Sequence, residues 1–512
     1  MTLGRMVPVD AAWFHMDGRA NLAMVTSVML TAKPLEFDKV KSLYAQRLAP
    51  FERFRQRVVE HGFPVPVPYW EDMPNFDFGQ HVHHIALPAP GDRRALMRLL
   101  SDLVSTPLDP LQPLWQVHLI DDVDGGSAVV TRFHHCIGDG TAMTALAEQL
   151  FDARPGAPAA AKRAAAKPAR KRPAGWVVSA FDGLGAAARA VASTADAAWQ
   201  AAGHPQALLD QAALIAGGTG MVLRELLKAD DPASPFKGHF GLPKHVAWSE
   251  PVSIANAKAI GALTGAKVND VLAAAMAGSL RAYLRGRGVD VDHTTLRAMV
   301  PVDLRPPERA LELGNEFGLV ILDLPVAHRT ALGRLRATKA NMDALKRSAE
   351  PVAMRVLLDI FGRTPKAMQD IAVSMFGGKA SVVMTNVAGA RQTLYLTGVP
   401  IERIMFWVPH PGEEMGMGIS IQSYRGQATL AVVSDAGLVP DPETITRRFN
   451  REFATLLAMV RRAAAAPAPA ASTALRSTPR GPRAGVPRAP MRPEVPAARR
   501  RGRKAAVGPR AR

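Results

Sequence analysis

A chain of 512 residues, 48% of them hydrophobic, is long enough to build two subdomains with separate cores. Its net charge of +18 suggests nucleic acid until it is located: residues 155–175 hold six Lys/Arg and no acid, and residues 463–512 hold twelve Lys/Arg and only Glu494, so these segments carry +6 and +11 and leave +1 on the rest. A single cysteine, Cys136, excludes an intrachain disulfide framework and Cys-based metal clusters and suits a reducing cytoplasm, while no apolar run approaches the ~20 residues of a membrane span, so a soluble or peripheral protein is expected.

In chain order, Pro8 to Phe14 reads as a short helix with Asp10 as its cap, Met24 to Leu30 as a strand, and Phe37 to Leu48 as an amphipathic helix. Arg53 to Arg57 leads into a second strand and Pro68-Tyr69-Trp70-Glu71 into a turn-rich connection. Leu96, Leu99, Leu100 and Leu103 fall at helical spacing, and Pro113-Leu114-Trp115 enters a strand that ends in a turn at Asp121 to Gly126. The next apolar run, Ser127 to Phe133, breaks at His134-His135-Cys136-Ile137-Gly138-Asp139-Gly140 before a helix over Thr141 to Phe151. This alternation gives an α/β domain over residues 1–154.

Residues 155–175 are an Ala/Pro/Lys/Arg linker that cannot bury enough apolar surface to order itself. Within 176–245 an Ala-rich helical connector carries an apolar stripe through Trp199, Leu208, Leu209, Leu214, Ile215, Leu223 and Leu226, suited to packing and, less simply, to touching lipid. A second α/β half spans 246–462: helices over Ser253 to Leu263 and from Val268 past Tyr283, strands at Leu296 to Arg305, Leu319 to Leu324 and Ser381 to Val387, a helix over Leu332 to Ala349, and strands at Gly418 to Tyr424 and Ala428 to Ser434. Pro440-Asp441-Pro442 starts a last helix, and residues 463–512 form a disordered basic tail by composition.

The histidine loop is the richest stretch for chemistry. Neutral imidazole can remove a proton from a hydroxyl near neutral pH, and one histidine suffices for that role. Adjacent side chains on an extended strand end point to opposite faces, so His134 and His135 cannot both face one cavity. Asp139 could pair with an arginine or orient an imidazole. A metal site would need three ligands from one tight loop; a Ser-His-Asp site lacks a Gly-x-Ser-x-Gly elbow; a purely structural loop stays open on spacing alone.

The sequence resembles the bacterial wax ester synthase/acyl-CoA:diacylglycerol acyltransferase family, a branch of the CoA-dependent acyltransferases whose signature is His-His-x-x-x-Asp-Gly, here His134 to Gly140. The likeness runs from residue 6 to 462, through Pro8 to Phe14, Tyr69-Trp70, Pro113-Leu114-Trp115, Asn269-Asp270, Pro301 to Arg305, Leu313-Gly314-Asn315, Thr385-Asn386-Val387, Ser423-Tyr424 and Val439 to Pro442. What the resemblance implies is an α/β fold of two chloramphenicol-acetyltransferase-like subdomains, each a mixed sheet with flanking helices, around a tunnel. It further implies His135 as general base, His134 in support, Asp139 holding the loop with Arg305 as one possible partner, and Gly140 in the motif turn. Asn269 and Asp270 are candidates for the substrate site, with Asn269 offering an oxyanion donor and a plain helix cap as the competing role; Pro113, Leu114 and Trp115 would shape the tunnel or pack the core. The expected reaction moves a long-chain acyl group from acyl-CoA to diacylglycerol or a long-chain alcohol without cofactor, metal or acyl-enzyme. Condensation or transfer on a carrier-protein thioester, and a non-catalytic lipid-surface protein, are the alternatives. Cys136 reads as a small buried hydrophobe. The basic tail, including Arg499-Arg500-Arg501-Gly502-Arg503-Lys504, fits anionic lipid at the inner face of the plasma membrane or on lipid inclusions better than nucleic acid, for which no recognised module is present.

Overall fold

The computed structural model describes residues 3–62, 67–155, 229–348 except 242, 310 and 311, scattered positions between 351 and 374, and 377–465 except 411–413. Most of the linker, the connector from Trp176 to Lys228 with its apolar stripe, and the basic tail beyond residue 465 lie outside the described residues.

The first half runs β1 (Leu3–Arg5), α1 (Pro8–His15), β2 (Met24–Thr31), α2 (Phe37–Leu48), β3 (Gln56–His61), β4 (Val67–Asp72), β5 (Val82–Ala86), α3 (Arg93–Ser105), β6 (Trp115–Val123), β7 (Gly126–His134) and α4 (Gly140–Leu150). The second runs β8 (Lys244–Trp248), β9 (Val252–Ser253), α5 (Ile254–Thr264), α6 (Val268–Gly286), β10 (Leu296–Asp303), β11 (Phe317–Leu324), α7 (Ala331–Leu345), β12 (Val382–Ala388), β13 (Tyr395–Leu396), β14 (Val399–Trp407), β15 (Met417–Tyr424), β16 (Gln427–Asp435) and α8 (Pro442–Ala465).

Two mixed sheets carry the fold, in keeping with the expected α/β class. The first has the order β13-β14-β2-β7-β6-β5, with β5 parallel to β6 and the other pairs antiparallel. The second has the order β11-β10-β12-β15-β16-β8, with β12 parallel to both its neighbours and β9 added on β16. A small antiparallel sheet has the order β1-β4-β3, and its Val58 and Trp70 pack into the same core as Val117 and Val129 of the first sheet. β14 comes late in the chain yet pairs along β2, from Ile401 opposite Thr31 to Trp407 opposite Thr26. A strand of the second half therefore completes the sheet of the first. α3 binds the free edge of β8 in return: Ser105 Oγ accepts from Lys244 N (2.9 Å) and Ser101 Oγ from Val246 N (3.2 Å), which covers an edge that would otherwise offer unpaired amides.

Several elements depart from the sequence reading, each because a long-range contact outweighs a local signal. Pro68 to Glu71 is not a turn but lies in β4, the middle strand of the small sheet. β1 pairs only with Tyr69 to Glu71, so Pro68 sits where β4 has a partner strand on one side and its missing N–H costs little. The strand entering from Pro113 continues through Val123, past a register shift at Asp122, and reverses at Asp124-Gly125, both with positive φ. α1 has no side-chain cap; its N-cap is Val7, and Asp10 is turned into the protein instead. His135 belongs not to the strand but to a 3₁₀ turn, His135–Ile137, that follows β7.

Candidate active site

β7 delivers the histidine loop to the junction of the two halves. The β-branched and aromatic run of β7 pairs on one side with β2 and on the other with β6, and His134 N donates to Leu114 O (2.9 Å) while His135 N donates to Ala23 O (2.8 Å). From there the loop leaves its own half. Asp139 N donates to Gly314 O (3.2 Å) and Gly314 N to Ile137 O (2.9 Å), a short bridge to the Leu313-Gly314-Asn315 segment. Gly314 has φ +112, and a Cβ there would stand 3.2 Å from Asp10 Oδ2, so glycine is required where the two segments meet.

Asp139 caps α4, its Oδ1 accepting from Ala142 N (2.9 Å). Its Oδ2 accepts from Arg305 Nη2 (2.7 Å) and from Glu316 N (2.9 Å), and the same guanidinium nitrogen donates to Gly314 O (2.7 Å). Both side chains are buried, so the pair is a charged tie between halves shielded from water. The expected arginine partner is thus Arg305. Beside it, Asp303 accepts from Thr141 Oγ1 (2.8 Å) and Arg305 N (3.0 Å); burial, then the Asp139 charge, raise its pKa to about 6. Gly140 is the first residue of α4, and a Cβ on it would lie 3.3 Å from Val387 of β12, so small size keeps that approach open.

The paired histidines have opposite environments. His134 is buried, and its Nδ1 accepts from Cys136 N (3.1 Å), which places its proton on Nε2; among the described residues that atom has no hydrogen-bond partner, and it lies 3.9 Å from Asp17 Oδ1. Burial, with a smaller contribution from His135, pushes its pKa down to about 3, so it stays neutral and holds the turn. His135 is only half-buried. Trp13 stacks on its ring with centroids 4.1 Å apart and planes 16° apart, and Phe317 stands 5.9 Å away. Its Nδ1 lies 2.9 Å from Asn315 Oδ1. Burial lowers the His135 pKa, while Asp139, the Asn315 hydrogen bond and Asp10 raise it. A neutral imidazole at neutral pH is the form a general base requires.

Asp10, Trp13 and Asn315 were not singled out for the site by the sequence. Asp10 is fully buried: its Oδ2 accepts from Arg53 Nη1 (2.6 Å) and its Oδ1 from both Asn315 N and Asn315 Nδ2 (2.9 Å each). The signal that could have found it is a carboxylate in an apolar helix, which needs a partner once that helix packs. Cys136 is buried, and burial, then the Asp10 charge, hold its thiol pKa well above the ordinary value; it fits a packed hydrophobe rather than a nucleophile.

Leu114 meets the site through its bond to His134, while Trp115 is fully buried, donates Nε1–H to Phe54 O (2.8 Å) and stacks on His81 at 4.7 Å. A pocket beside them is lined by His81, Leu108, Gln112, Pro113 and Trp115. Asn269 pairs with Asn386 of β12, its Oδ1 accepting from Asn386 Nδ2 (3.0 Å). Asp270 closes its own helix start, Oδ2 accepting from Lys267 N (2.8 Å), with Oδ1 buried and without a hydrogen-bond partner among the described residues. Among the described residues no helix is long and apolar enough to cross a membrane.

Comparison with known proteins gives this constellation its context. Residues 6–272 match the wax ester synthase/diacylglycerol acyltransferase catalytic domain, and residues 313–457 the WS/DGAT C-terminal domain. The probable diacylglycerol O-acyltransferase tgs1 of Mycobacterium tuberculosis is 28% identical over 473 residues, 90% of this chain and 97% of that protein. The wax ester synthase/diacylglycerol acyltransferase from Marinobacter aquaeolei VT8 has a similar structure, with a TM-score of 0.62 at 20% identity over 89% of this chain and 99% of that one. The first condensation domain of the calcium-dependent antibiotic synthetase follows at 0.54 and 16% identity, over 89% and 96%. These two structures speak for a shared two-domain fold; the catalytic-domain match alone takes in more than half the sequence. The chain belongs to the wax ester synthase/diacylglycerol acyltransferase family.

Proposed function

We propose that this acyl-CoA-dependent O-acyltransferase uses His135 as general base in direct transfer from acyl-CoA to the hydroxyl of a diacylglycerol or a long-chain alcohol. Nε2 takes the hydroxyl proton as the oxygen attacks the thioester carbonyl carbon. The tetrahedral oxyanion then collapses, the ester forms, the carbon–sulfur bond breaks, and the departing CoA thiolate takes the proton from Nε2. No acyl-enzyme is needed, which agrees with a buried, high-pKa Cys136. The observation that carries this reading is the contrast within the pair: His134 is buried and neutral with Nδ1 engaged by the turn, whereas His135 is half-buried and, among the described residues, hydrogen-bonded through its ring at Nδ1 alone.

Supporting roles follow from the contacts. Asp139 and Arg305 hold the loop. Asn269 is the proposed oxyanion donor, since its pairing with Asn386 uses Oδ1 and leaves an amide N–H for another acceptor. Asp270 fixes the turn that presents Asn269, and Pro113-Leu114-Trp115 backs the strand that carries His134. Substrates are inferred to reach His135 through a tunnel between the halves, with the protein peripheral at the cytoplasmic membrane face or on lipid inclusions.

Purified protein given palmitoyl-CoA with either diolein or hexadecanol should form ester, and His135→Ala should reduce turnover on the order of 10²–10⁴-fold. Equal ester from both proteins would remove His135 from the mechanism, and the ratio between acceptors would assign the substrate. Deleting residues 466–512 should weaken binding to vesicles containing anionic phospholipid, at about 1 kcal/mol per basic residue near the surface; unchanged binding would leave the tail no part in membrane attachment.

A further inference from the structure

The hydrogen bonds around Asn315 fix more than its position. Nδ2 lies 2.9 Å from Asp10 Oδ1 and 2.8 Å from His135 O, two groups that can only accept. Turning the amide over would set its oxygen against a carboxylate and a carbonyl. Oδ1 therefore faces His135 Nδ1, and an amide oxygen can only accept, so Nδ1 must carry the proton and Nε2 the lone pair.

We propose that Asn315 and Asp10 are positioning residues that act through His135, holding its imidazole as the Nδ1–H tautomer with the Nε2 lone pair ready for the acceptor hydroxyl. The inference rests on the reading of His135 as base. Asp139 makes no hydrogen bond in this relay; its side-chain contacts run to Arg305, Glu316 and the start of α4, and it reaches the ring through its charge. Free imidazole populates both neutral tautomers, and only one presents a base at Nε2. The chain from the Asp10 carboxylate through the Asn315 amide to Nδ1–H also polarises in the direction that accommodates positive charge on the ring once Nε2 has gained its proton. Asp10 is itself fixed by Arg53, which donates to Asp10 Oδ2 and to Cys136 O (3.1 Å), and the Asn315 carbonyl accepts from Arg355 Nη1 (3.1 Å). Asp10 comes from α1, Asn315 from the segment before β11, and His135 from the loop after β7, so the base is complete only when the two halves are joined.

The charged and titratable groups around the ring set the expected pH dependence. Asp10 approaches from α1, Arg53 and Arg355 stand behind the relay, and His134 and Asp139 flank the ring on its own loop, with Arg305 and Asp303 beyond Asp139. Asp139, the Asn315 hydrogen bond and Asp10 all raise the basicity that burial lowers. Removing the Asn315 amide should therefore make His135 a weaker base, and placing a carboxylate there a stronger one.

The test uses the full-length protein with palmitoyl-CoA and hexadecanol, comparing wild type, Asn315→Ala, Asn315→Asp and His135→Ala. Asn315→Ala should lower kcat on the order of 10²-fold with little change in KM and move the acid limb of kcat/KM to lower pH, while Asn315→Asp should move that limb to higher pH. A purely structural role would reduce activity evenly across pH and leave the limb in place in both variants, which would overturn the proposal. Should Asn315→Ala fail to fold, the near-isosteric Asn315→Asp still reads the shift. ¹⁵N spectra of histidine-labelled protein, with the His135 signal assigned by its loss in His135→Ala, should show Nδ1 protonated and Nε2 bare in neutral wild type; the reverse would also overturn it. Wild-type turnover in His135→Ala would instead defeat the base reading, an outcome distinct from both.

Discussion

α4 and α6 each carry an aspartate at their start, Asp139 as the N-cap of α4 and Asp270 as the third residue of α6, and they use it in opposite ways. Asp270 folds back on Lys267 N of its own turn, and its second oxygen has no hydrogen-bond partner among the described residues. Asp139 spends one oxygen on its helix and the other on Arg305 and Glu316 N, both from the second half of the chain. One aspartate closes a helix; the other closes a molecule around a histidine. Two aspartates at helix starts, one at the N-cap and one three residues in, thus differ by what the tertiary fold brings to the second oxygen.

The sharpest way to break this contrast is to remove the carboxylates in turn. Asp139→Ala would leave the Arg305 guanidinium buried and unpaired and should cost about 3–5 kcal/mol in urea unfolding, with ester formation lost in parallel. A cost near that of an ordinary cap would mean that the tie between halves is solvated and weak.

A second variant sharpens the electrostatics of the α4 start. Asp303 has its pKa raised from 3.8 to about 6, by burial first and by Asp139 second. The folded state therefore binds this proton more tightly than the unfolded state, so the contribution to stability is fully present below pH 3.8 and is lost as the pH rises through about 6. Asp303→Asn, neutral at every pH, should raise Tm by a few degrees above pH 7 and give no gain near pH 4. An equal gain at both values would exclude titration of Asp303 as the cause.

The smallest effect is expected at α6. Asp270→Ala removes one hydrogen bond from the helix start and should cost about 1 kcal/mol. It should leave the acid limb of kcat/KM where it is. A loss as large as that of Asp139→Ala would end the distinction between the two helix starts.

Much of the fold was legible because most elements carry their own periodicity: β2, β7, β10, β12, β15 and β16 are rich in β-branched and aromatic residues, and α2, α3 and α6 keep an apolar face. β14 was missed, since Val-Pro-Ile-Glu-Arg-Ile-Met-Phe-Trp does not alternate cleanly and its register shifts between Ile401 and Arg403; its partner β2 lies more than 350 residues earlier. β5 was missed because Val-His-His-Ile-Ala is short and polar in the middle. At the site, the histidine loop announced itself through two histidines and glycines in one turn. Asp10 was misread as a helix cap, because capping is a rule about neighbours in sequence, whereas its partners are Arg53 and Asn315. Asn315 sits 180 positions from His135, and nothing local to Leu313-Gly314-Asn315 reveals which ring nitrogen it will meet.

The most direct measurement is ester formation by His135→Asn. An asparagine amide in place of Nδ1–H can still donate to Asn315 Oδ1 and keep the loop in register, so the change removes the Nε2 lone pair and the part of the ring that stacks on Trp13 while keeping the Asn315 contact. Turnover with palmitoyl-CoA and either acceptor should fall on the order of 10²–10⁴-fold while the protein stays folded, with Tm lowered by no more than the lost ring stacking accounts for. Wild-type turnover by this variant would contradict the assignment of His135 as the base.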